Sequence, residues 1–300
     1  MKIGIIGPGA LGTFLAGIIG QDHEVILLGR KDLPLNRVRI SGKTDVESSI
    51  QYSINPSDLT PCIYMIFCTK SYDTKQAVEL VRPHISPDTG VISLQNGLNN
   101  ERIISEFVDP ERVIGGVTSH GITYRSPGEV FHAGQGYTYL GLYPKGTNEH
   151  VYGFAHILQE AGMKVEMVDN IYGHIWQKVI VNACINPLTA LTGLKNGVLL
   201  EHRELRDFME KVCYESRDVA IKHTDLPDDD ILKEVERVAE MTADNHSSML
   251  QDIQRGRRTE IDCINGAIVD AGKSVGAETP LNHLLQTLVK GRELSSLRSI

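Results

Sequence analysis

The chain begins with a glycine-rich turn between an apolar run and an amphipathic segment, and this pattern constrains the fold most. Residues 3–6 are apolar and predict a buried strand; GPGALG follows directly at residues 7–12. Apolar residues then recur at helical spacing, and a second apolar run follows at residues 24–28. Strand, glycine turn, helix and strand within about thirty residues indicate a dinucleotide-binding turn rather than a glycine turn without a ligand.

Each glycine of the turn has a physical role in such a site. Gly7 permits the tight turn, Gly9 lets a pyrophosphate approach the backbone, and Gly12 lets the helix lie close to the strand. The N-terminus of the helix then offers backbone N–H groups and positive dipole to the phosphates. We therefore predict that the cofactor contacts the whole turn, namely Gly7, Pro8, Gly9, Ala10, Leu11 and Gly12.

The residues after the second strand indicate which dinucleotide is bound. A site for NAD usually carries an acidic residue there, which binds the 2′-hydroxyl of the ribose. This chain has Gly29, Arg30 and Lys31 instead, and a guanidinium can pair with the 2′-phosphate of NADP. We predict a preference for NADP over NAD; the alternative is that Arg30 and Lys31 are solvated surface charges.

Further apolar runs predict parallel strands that end in small or polar residues, at residues 63–70, 90–97 and 112–121. In a doubly wound sheet, ligands bind at the carboxyl ends of the strands. Lys70, Asn96 and Gly121 follow or end these runs, so we predict that they line the cofactor site. Taken alone, Lys70 could be a surface lysine and Asn96 a turn residue.

The remainder of the first half predicts the edge of the sheet. Residues 127–143 alternate in polarity between glycine turns, which favours an antiparallel pair or an edge to the sheet, and residues 163–168 predict a last strand. His120 and His132 have no acidic residue at a spacing that predicts an orienting partner. We therefore expect structural or supporting roles for both histidines.

Strand patterns stop after about residue 169, and helical periodicity replaces them. The predicted helices span residues 170–191, 197–223, 228–254, 260–273 and 280–295. We predict an α/β fold with an N-terminal Rossmann-type doubly wound sheet, the NADP-binding domain at residues 1–168. A C-terminal all-α domain at residues 169–300 would bind the substrate.

One helical segment, WQKVIVNACINPLTAL at residues 176–191, carries an unusual polar row. Lys178, Asn182 and Asn186 are four residues apart and share one face of an otherwise apolar helix. Pro187 disfavours helical backbone at the preceding residue, so we expect the helix to end or kink there. A solvated face or a buried amide network would also explain the row, but the apolar surroundings of Lys178 favour a ligand site.

A second polar set lies at residues 242–266. Asn245 and Ser248 are three residues apart, Asp252 follows four residues later, and Glu260 precedes the next predicted helix. In an enzyme that transfers a hydride to a carbonyl, a lysine ammonium can protonate the developing alkoxide. Lys178 suits this role, with Glu260 as the carboxylate that could hold the charge. The asparagines would bind neutral hydroxyl or carbonyl groups of a substrate.

Composition excludes several other functions. The net charge is −8, which argues against a nucleic-acid-binding surface, and no apolar run is long enough to span a bilayer. The five cysteines are widely spaced and form no CxxC pair, which indicates reduced thiols in a cytoplasmic protein without a metal site. The sequence leaves the oligomeric state open, a homodimer included.

The same motifs resemble those of the ketopantoate reductase family, over essentially the whole chain and in the family's order. They are GPGALG, TKSYDT, LQNG, PGEVFHAGQG, WQKVIVNACINPLTAL, KNGVL, NHSSMLQDI and RTEIDCINGAIV. The resemblance implies NADPH-dependent reduction of 2-dehydropantoate to (R)-pantoate, on the route to pantothenate and coenzyme A. Pro8 in the glycine turn and the short, basic GRKDLPLNR segment depart slightly from the family pattern.

The resemblance also implies roles for individual residues. Lys178 is the proton donor; Asn96 and Glu260 lie near the reacting centre as well as the cofactor. Arg30, Lys70 and Gly121 join the glycine turn around NADP. The substrate would contact Lys178 and five further residues: Asn182, Asn186, Asn196, Asn245 and Ser248.

Two alternatives remain open at this point. The same fold and lysine could reduce another branched 2-oxo acid, although an alkyl oxo acid would leave the asparagines unpaired, at a cost of about 1–3 kcal/mol. The chain could also be an NADP-sensing regulator without catalysis, which would have no need of Lys178 together with Glu260.

Overall fold

The structure is a computed structural model that describes residues 1–228 and 230–297 of the chain. The Cα positions group into two compact units. The first comprises Met1–Gln95 and Asn100–Tyr172, and the second comprises Asn96–Asn99 and the residues from Gly173 onward. The short segment Asn96–Asn99 therefore belongs to the second unit, although the residues before and after it belong to the first.

The strands lie in the first unit, and most of the helices lie in the second. The strands are β1 (Lys2–Ile6), β2 (Glu24–Leu28), β3 (Arg37–Gly42), β4 (Val46–Ser49), β5 (Gln51–Ser53), β6 (Tyr64–Phe67), β7 (Gly90–Ser93), β8 (Val113–Thr118), β9 (Gly121–Ser126), β10 (Glu129–Gly134), β11 (Tyr137–Leu142) and β12 (Lys164–Met167). The helices are α1 (Ala10–Ile19), α2 (Thr74–Val81), α3 (Asn100–Ser105), α4 (Glu149–Glu160), α5 (Ile171–Thr192), α6 (Val198–Glu201), α7 (Arg203–Ala220), α8 (Ile231–Met241), α9 (Ser248–Gln254), α10 (Asn265–Ser274) and α11 (Pro280–Leu297).

The main sheet has eight strands in the order β12-β11-β8-β7-β6-β1-β2-β5, parallel except where β11 meets β8. Its central strands are buried on both faces, which explains their unbroken apolar runs. One face packs against α1 and α4, with Phe14 and Phe154 in the core. The other packs against α2 and α3, with Val78 and Ile104 in the core.

A second sheet of four strands, in the order β4-β3-β10-β9, covers α1 on the side away from the main sheet. Gly17 of α1 makes this packing possible, because a Cβ there would lie 2.6 Å from Ile40 of β3. The hydroxyl of Ser48 on β4 also donates to the Gly17 carbonyl, at 2.7 Å. This sheet was not predicted from the sequence, since its strands are short and their partners distant.

The second sheet also corrects the prediction for residues 127–143. The alternating segment is not one antiparallel pair, because β10 belongs to the small sheet and β11 to the main sheet. The antiparallel partner of β10 is β9, which begins at Gly121. The run at residues 112–121 therefore contains the whole of β8 and the first residue of β9.

The second unit is helical, and α7 packs against α8, α10 and α11. Two of its predicted helices are each divided. Residues 197–223 form α6 and α7, which His202 separates. The predicted helix at residues 228–254 is two helices, α8 and α9, separated by a turn over residues 242–247. The helix predicted over residues 170–191 is α5, and of the expected end or kink at Pro187 the end is wrong, because α5 continues to Thr192. A hydrogen bond from Asn265 of α10 to the Ala183 carbonyl supports this continuation.

The predicted fold class is confirmed: a doubly wound, mostly parallel sheet is followed by an all-α segment. Among the described residues, no helix is both long and apolar enough to cross a membrane.

Candidate functional site

The glycine turn has the geometry that the sequence predicts. Gly7 has φ +109°, and its N–H donates to the Leu28 carbonyl at 3.0 Å. A Cβ at Gly7 would lie 2.8 Å from the Thr69 nitrogen, and one at Gly12 would collide with the Gly7 carbonyl oxygen. Both positions therefore require glycine, the first for its backbone conformation and the second for the close approach of α1.

Gly9 differs from the other two glycines because space, rather than protein, lies beside it. Beyond its chain neighbours, no atom of the described residues comes within 4 Å of a Cβ built on Gly9. Gly9 is also the residue before α1, and no side chain caps the N-terminus of this helix. An open backbone at an uncapped helix N-terminus fits a pyrophosphate, so the residues present fit a dinucleotide cofactor.

The two predicted basic residues lie on either side of this turn. Arg30 follows β2 and Lys70 follows β6, and these strands flank β1. Lys70 precedes a short 3-10 helix, Ser71–Asp73, and the guanidinium of Arg30 lies 3.3 Å from the Asp73 carboxylate. The side chain of Arg30 is 77% exposed, so this ion pair is weak and the guanidinium can still bind another anion.

His120 and His132 form a hydrogen-bonded pair beside Phe14. Nδ1 of His120 lies 3.0 Å from Nε2 of His132, whose Nδ1 lies 2.9 Å from the Thr44 hydroxyl. Burial and the neighbouring His132 ring lower the pKa of His120 to about 4, so this ring is neutral at physiological pH. The pair joins the loop before Gly121 to β10, in keeping with the structural role expected for both rings.

Asn96 and Glu260 meet within the second unit. The Asn96 side-chain amide donates to the Glu260 carboxylate at 3.3 Å. Gly97, with φ +87°, lets the chain pass close to Cys263, whose carbonyl accepts from the Leu98 N–H at 3.0 Å. Burial and the nearby Glu260 carboxylate raise the pKa of the Cys263 thiol to about 11, so that thiol stays protonated at neutral pH.

The predicted polar row lies on α5. Lys178 and Asn182 are half-buried and Asn186 is buried, and apolar residues of the core surround them in the sequence. Because all three belong to one continuous helix, their spacing of four places them on the same face. The row can present one ammonium and two amides to a ligand.

Asn196, Asn245 and Ser248 lie together near the end of α5. The Asn196 N–H donates to the Asn245 carbonyl at 3.0 Å, and the Asn196 side chain donates to the Thr242 hydroxyl at 2.9 Å. Within the described part of the chain, the buried Asn196 Oδ1 has no hydrogen-bond partner. Asn245 and Ser248 are exposed, and Ser248 is the first residue of α9.

Two hydroxyl residues that the sequence analysis did not identify, Ser247 and Thr189, connect the start of α9 to α5. Ser247 caps α9 by accepting from the Leu250 N–H, and its hydroxyl lies 2.6 Å from that of Thr189 on α5. Thr189 in turn donates to the Asn186 carbonyl at 3.0 Å. Serine is a preferred N-cap residue, so Ser247 could have been identified as a cap, but a continuous helix was predicted there.

No group of three or more His, Cys, Asp or Glu residues that could hold a metal ion occurs within residues 1–228 and 230–297. All five cysteines are free thiols.

Comparison with known families and proteins covers nearly the whole chain. Residues 3–145 match the family model "Ketopantoate reductase PanE/ApbA", and residues 170–293 match the model of its C-terminal domain. The chain is 39% identical to 2-dehydropantoate 2-reductase of Pyrococcus horikoshii, over 98% of both chains.

Solved structures of the family also match the chain over nearly its full length. A PanE/ApbA family ketopantoate reductase from Ralstonia eutropha superposes with a TM-score of 0.89 at 32% identity, over 99% of both chains. A D-mandelate dehydrogenase in complex with NADH and anilino(oxo)acetate superposes with a TM-score of 0.91 at 28% identity, also over 99% of both. With both family models matched in order, the chain belongs to the ketopantoate reductase family of pyridine-nucleotide-dependent reductases.

Proposed function

We propose that this protein reduces 2-dehydropantoate to (R)-pantoate with NADPH, and that Lys178 protonates the carbonyl oxygen. Relatives that match this chain over nearly their full length are named 2-dehydropantoate 2-reductase. The observation that carries the choice of substrate is the group of uncharged amides near the end of α5. Asn196 has a buried acceptor without a described partner, which suits the hydroxyl of 2-dehydropantoate.

The roles of the side chains follow from their chemistry. A bound cofactor would supply hydride chemistry at the ketone carbon. The ammonium of Lys178 donates a proton to the ketone oxygen. Glu260 accepts a hydrogen bond from the Asn96 amide, and its carboxylate is the group that we assign to hold the charge of Lys178. Asn182, Asn186, Asn196 and Asn245 would bind the substrate hydroxyl and carbonyl, and the Ser248 hydroxyl would bind its carboxylate.

A second candidate function has a specific observation in its favour. The D-mandelate dehydrogenase superposes with this chain as well as the ketopantoate reductases do. Mandelate corresponds to phenylglyoxylate, a 2-oxo acid without a distal hydroxyl, so the same fold accommodates a different substrate. An NADP-sensing regulator is disfavoured, since the chain carries Lys178 and Glu260 with full-length similarity to enzymes.

The test is steady-state kinetics on three oxo acids. We expect turnover of 2-dehydropantoate, with kcat/KM at least about tenfold above those for 2-oxoisovalerate, which lacks the hydroxyl, and phenylglyoxylate. Asn196→Ala should lower kcat/KM for 2-dehydropantoate by about tenfold and change that for 2-oxoisovalerate by less than about twofold. An equal loss on both substrates would mean that Asn196 does not bind the hydroxyl.

If phenylglyoxylate is the preferred substrate, the second candidate is correct. If NADPH binds but none of the three acids is reduced, the protein is not a 2-oxo acid reductase of this kind, and the sensor interpretation gains support.

We also propose that NADPH is preferred over NADH and that Arg30 reads the 2′-phosphate. Arg30→Ala should raise KM for NADPH by about ten- to a hundredfold and leave KM for NADH within about twofold, because only NADPH carries the phosphate. Asp73→Asn is the matched variant: it frees the guanidinium and removes a negative charge, so KM for NADPH should fall. Equal effects of Arg30→Ala on the two cofactors would rule out this role.

A further inference from the structure

Pro187 leaves a gap in the hydrogen bonds of α5. In an α-helix, each N–H donates to the carbonyl four residues earlier. Pro187 has no N–H, so the carbonyl of Ala183 loses its partner within the helix. Ala183 lies between Asn182 and Asn186, in the middle of the polar row. A helix with an unsatisfied buried carbonyl at this point would be expected to kink or end.

The side chain of Asn265 fills this gap. Its Nδ2 donates to the Ala183 carbonyl at 3.2 Å, in place of the missing N–H of residue 187. Asn265 is the first residue of α10 and is fully buried, so water does not compete for the carbonyl. This bond from another helix accounts for the continuation of α5 to Thr192.

A buried network fixes the Asn265 amide. Its Nδ2 also donates to Oδ1 of Asn282 at 2.9 Å, and Nδ2 of Asn282 donates to the Glu215 carboxylate at 2.8 Å. Glu215 accepts from the backbone N–H groups of Leu281 and Asn282 in the first turn of α11 as well. Two helices thus orient one amide toward α5, and a side chain so constrained can hold the carbonyl at a fixed place.

We propose that Asn265 is a positioning residue for the substrate: by replacing the N–H that Pro187 lacks, it keeps Asn186 in register with Asn182 and Lys178. This inference rests on the proposed function, because it assigns the substrate to the polar row. Asn265 touches neither substrate nor cofactor in this scheme, and it acts only through the course of α5. Its loss should therefore affect the oxo acid more than NADPH.

The experiment is a double-mutant cycle with Asn265→Ala and Pro187→Ala. Asn265→Ala should raise KM for the oxo acid by about tenfold, with KM for NADPH within about twofold. Pro187→Ala restores a backbone N–H that can close on the Ala183 carbonyl. In that background, Asn265→Ala should change KM for the oxo acid by less than about threefold. An equal rise in both backgrounds would overturn the proposal.

A matched control separates positioning from loss of stability. Ser216→Ala removes a hydroxyl that bonds Asn282 at 3.0 Å in the same network but leaves the Asn265 amide in place. It should lower Tm while KM for the oxo acid stays within about twofold. If Ser216→Ala raises this KM as much as Asn265→Ala does, the effect is general loosening and the proposal is wrong.

Hydrogen–deuterium exchange measures the local stability of α5 without depending on turnover. The peptide over residues 183–192 should exchange faster in Asn265→Ala and return to the wild-type rate when Pro187→Ala is added. Restored exchange without restored KM would contradict the link to the substrate, whereas an inactive wild-type enzyme would contradict only the proposed function. If Asn265→Ala does not fold, the double variant should fold, and its failure would also overturn the proposal.

Discussion

Lys178→Ala is expected to lower kcat by about 10²–10⁴-fold, the usual contribution of a positioned general acid. NADPH should bind with unchanged affinity, because the residues assigned to the cofactor's phosphates lie on the glycine turn and the loops after β2 and β6. The measurement is kcat with 2-dehydropantoate together with a fluorescence titration of NADPH. Lys178→Met should behave like the alanine variant, because it keeps the chain length but has no proton to give.

The control for Lys178 is Lys211, an exposed lysine on α7 of the same unit. Lys211→Ala removes the same charge from the second unit and should leave kcat within about twofold. A Lys178→Ala enzyme with wild-type kcat would exclude Lys178 as the proton donor. A variant that loses NADPH binding along with turnover would instead point to a cofactor role for this side chain.

Gly12→Ala is expected to abolish NADPH binding and to lower Tm, because the new methyl group would collide with the Gly7 carbonyl oxygen. Neither atom can move alone, since Gly7 is itself bonded to Leu28 and packed against Thr69. The turn and the start of α1 must therefore shift together. Differential scanning fluorimetry and an NADPH titration would measure the two effects.

Gly9→Ala is the matched variant, with a different expected result. Gly9 has extended backbone, φ −80° and ψ −167°, that any residue adopts, and the described residues leave its Cβ position open. Its Tm should stay close to that of the wild type, while the Kd for NADPH should rise by about tenfold or more, as the methyl group would occupy space meant for the pyrophosphate. Unchanged NADPH affinity in Gly9→Ala would refute phosphate binding at this turn.

The glycine turn and the central strands could be predicted from sequence because their signals are local. Gly7, Gly9 and Gly12 lie within six residues, and the buried strands on both sides are plain apolar runs. The polar row on α5 was equally visible, since its spacing of four lies within one helix. For these parts, the physical cause of the structure is contained in a short stretch of chain.

The rest depended on partners that are distant in sequence. The small sheet pairs β3 with β10, about ninety residues later, and neither strand is long enough to be distinctive alone. Local preference predicted that the helix ends or kinks at Pro187, but it does not end there, because Asn265 of α10 supplies the missing hydrogen bond. A continuous helix was also predicted across Ser247, whereas the Ser247 side chain caps the start of α9. In each case a tertiary contact decides between local alternatives.

The enclosure of α1 has a consequence for how the protein is made. Val38 and Ile40 of β3 pack on this helix together with Val130 of β10, which pairs alongside β3. During translation, the ribosome releases α1 long before it releases β10. The nascent chain must therefore carry an incompletely covered apolar helix for roughly 110 further residues. At ordinary elongation rates this takes several seconds, during which a chaperone can bind the exposed helix.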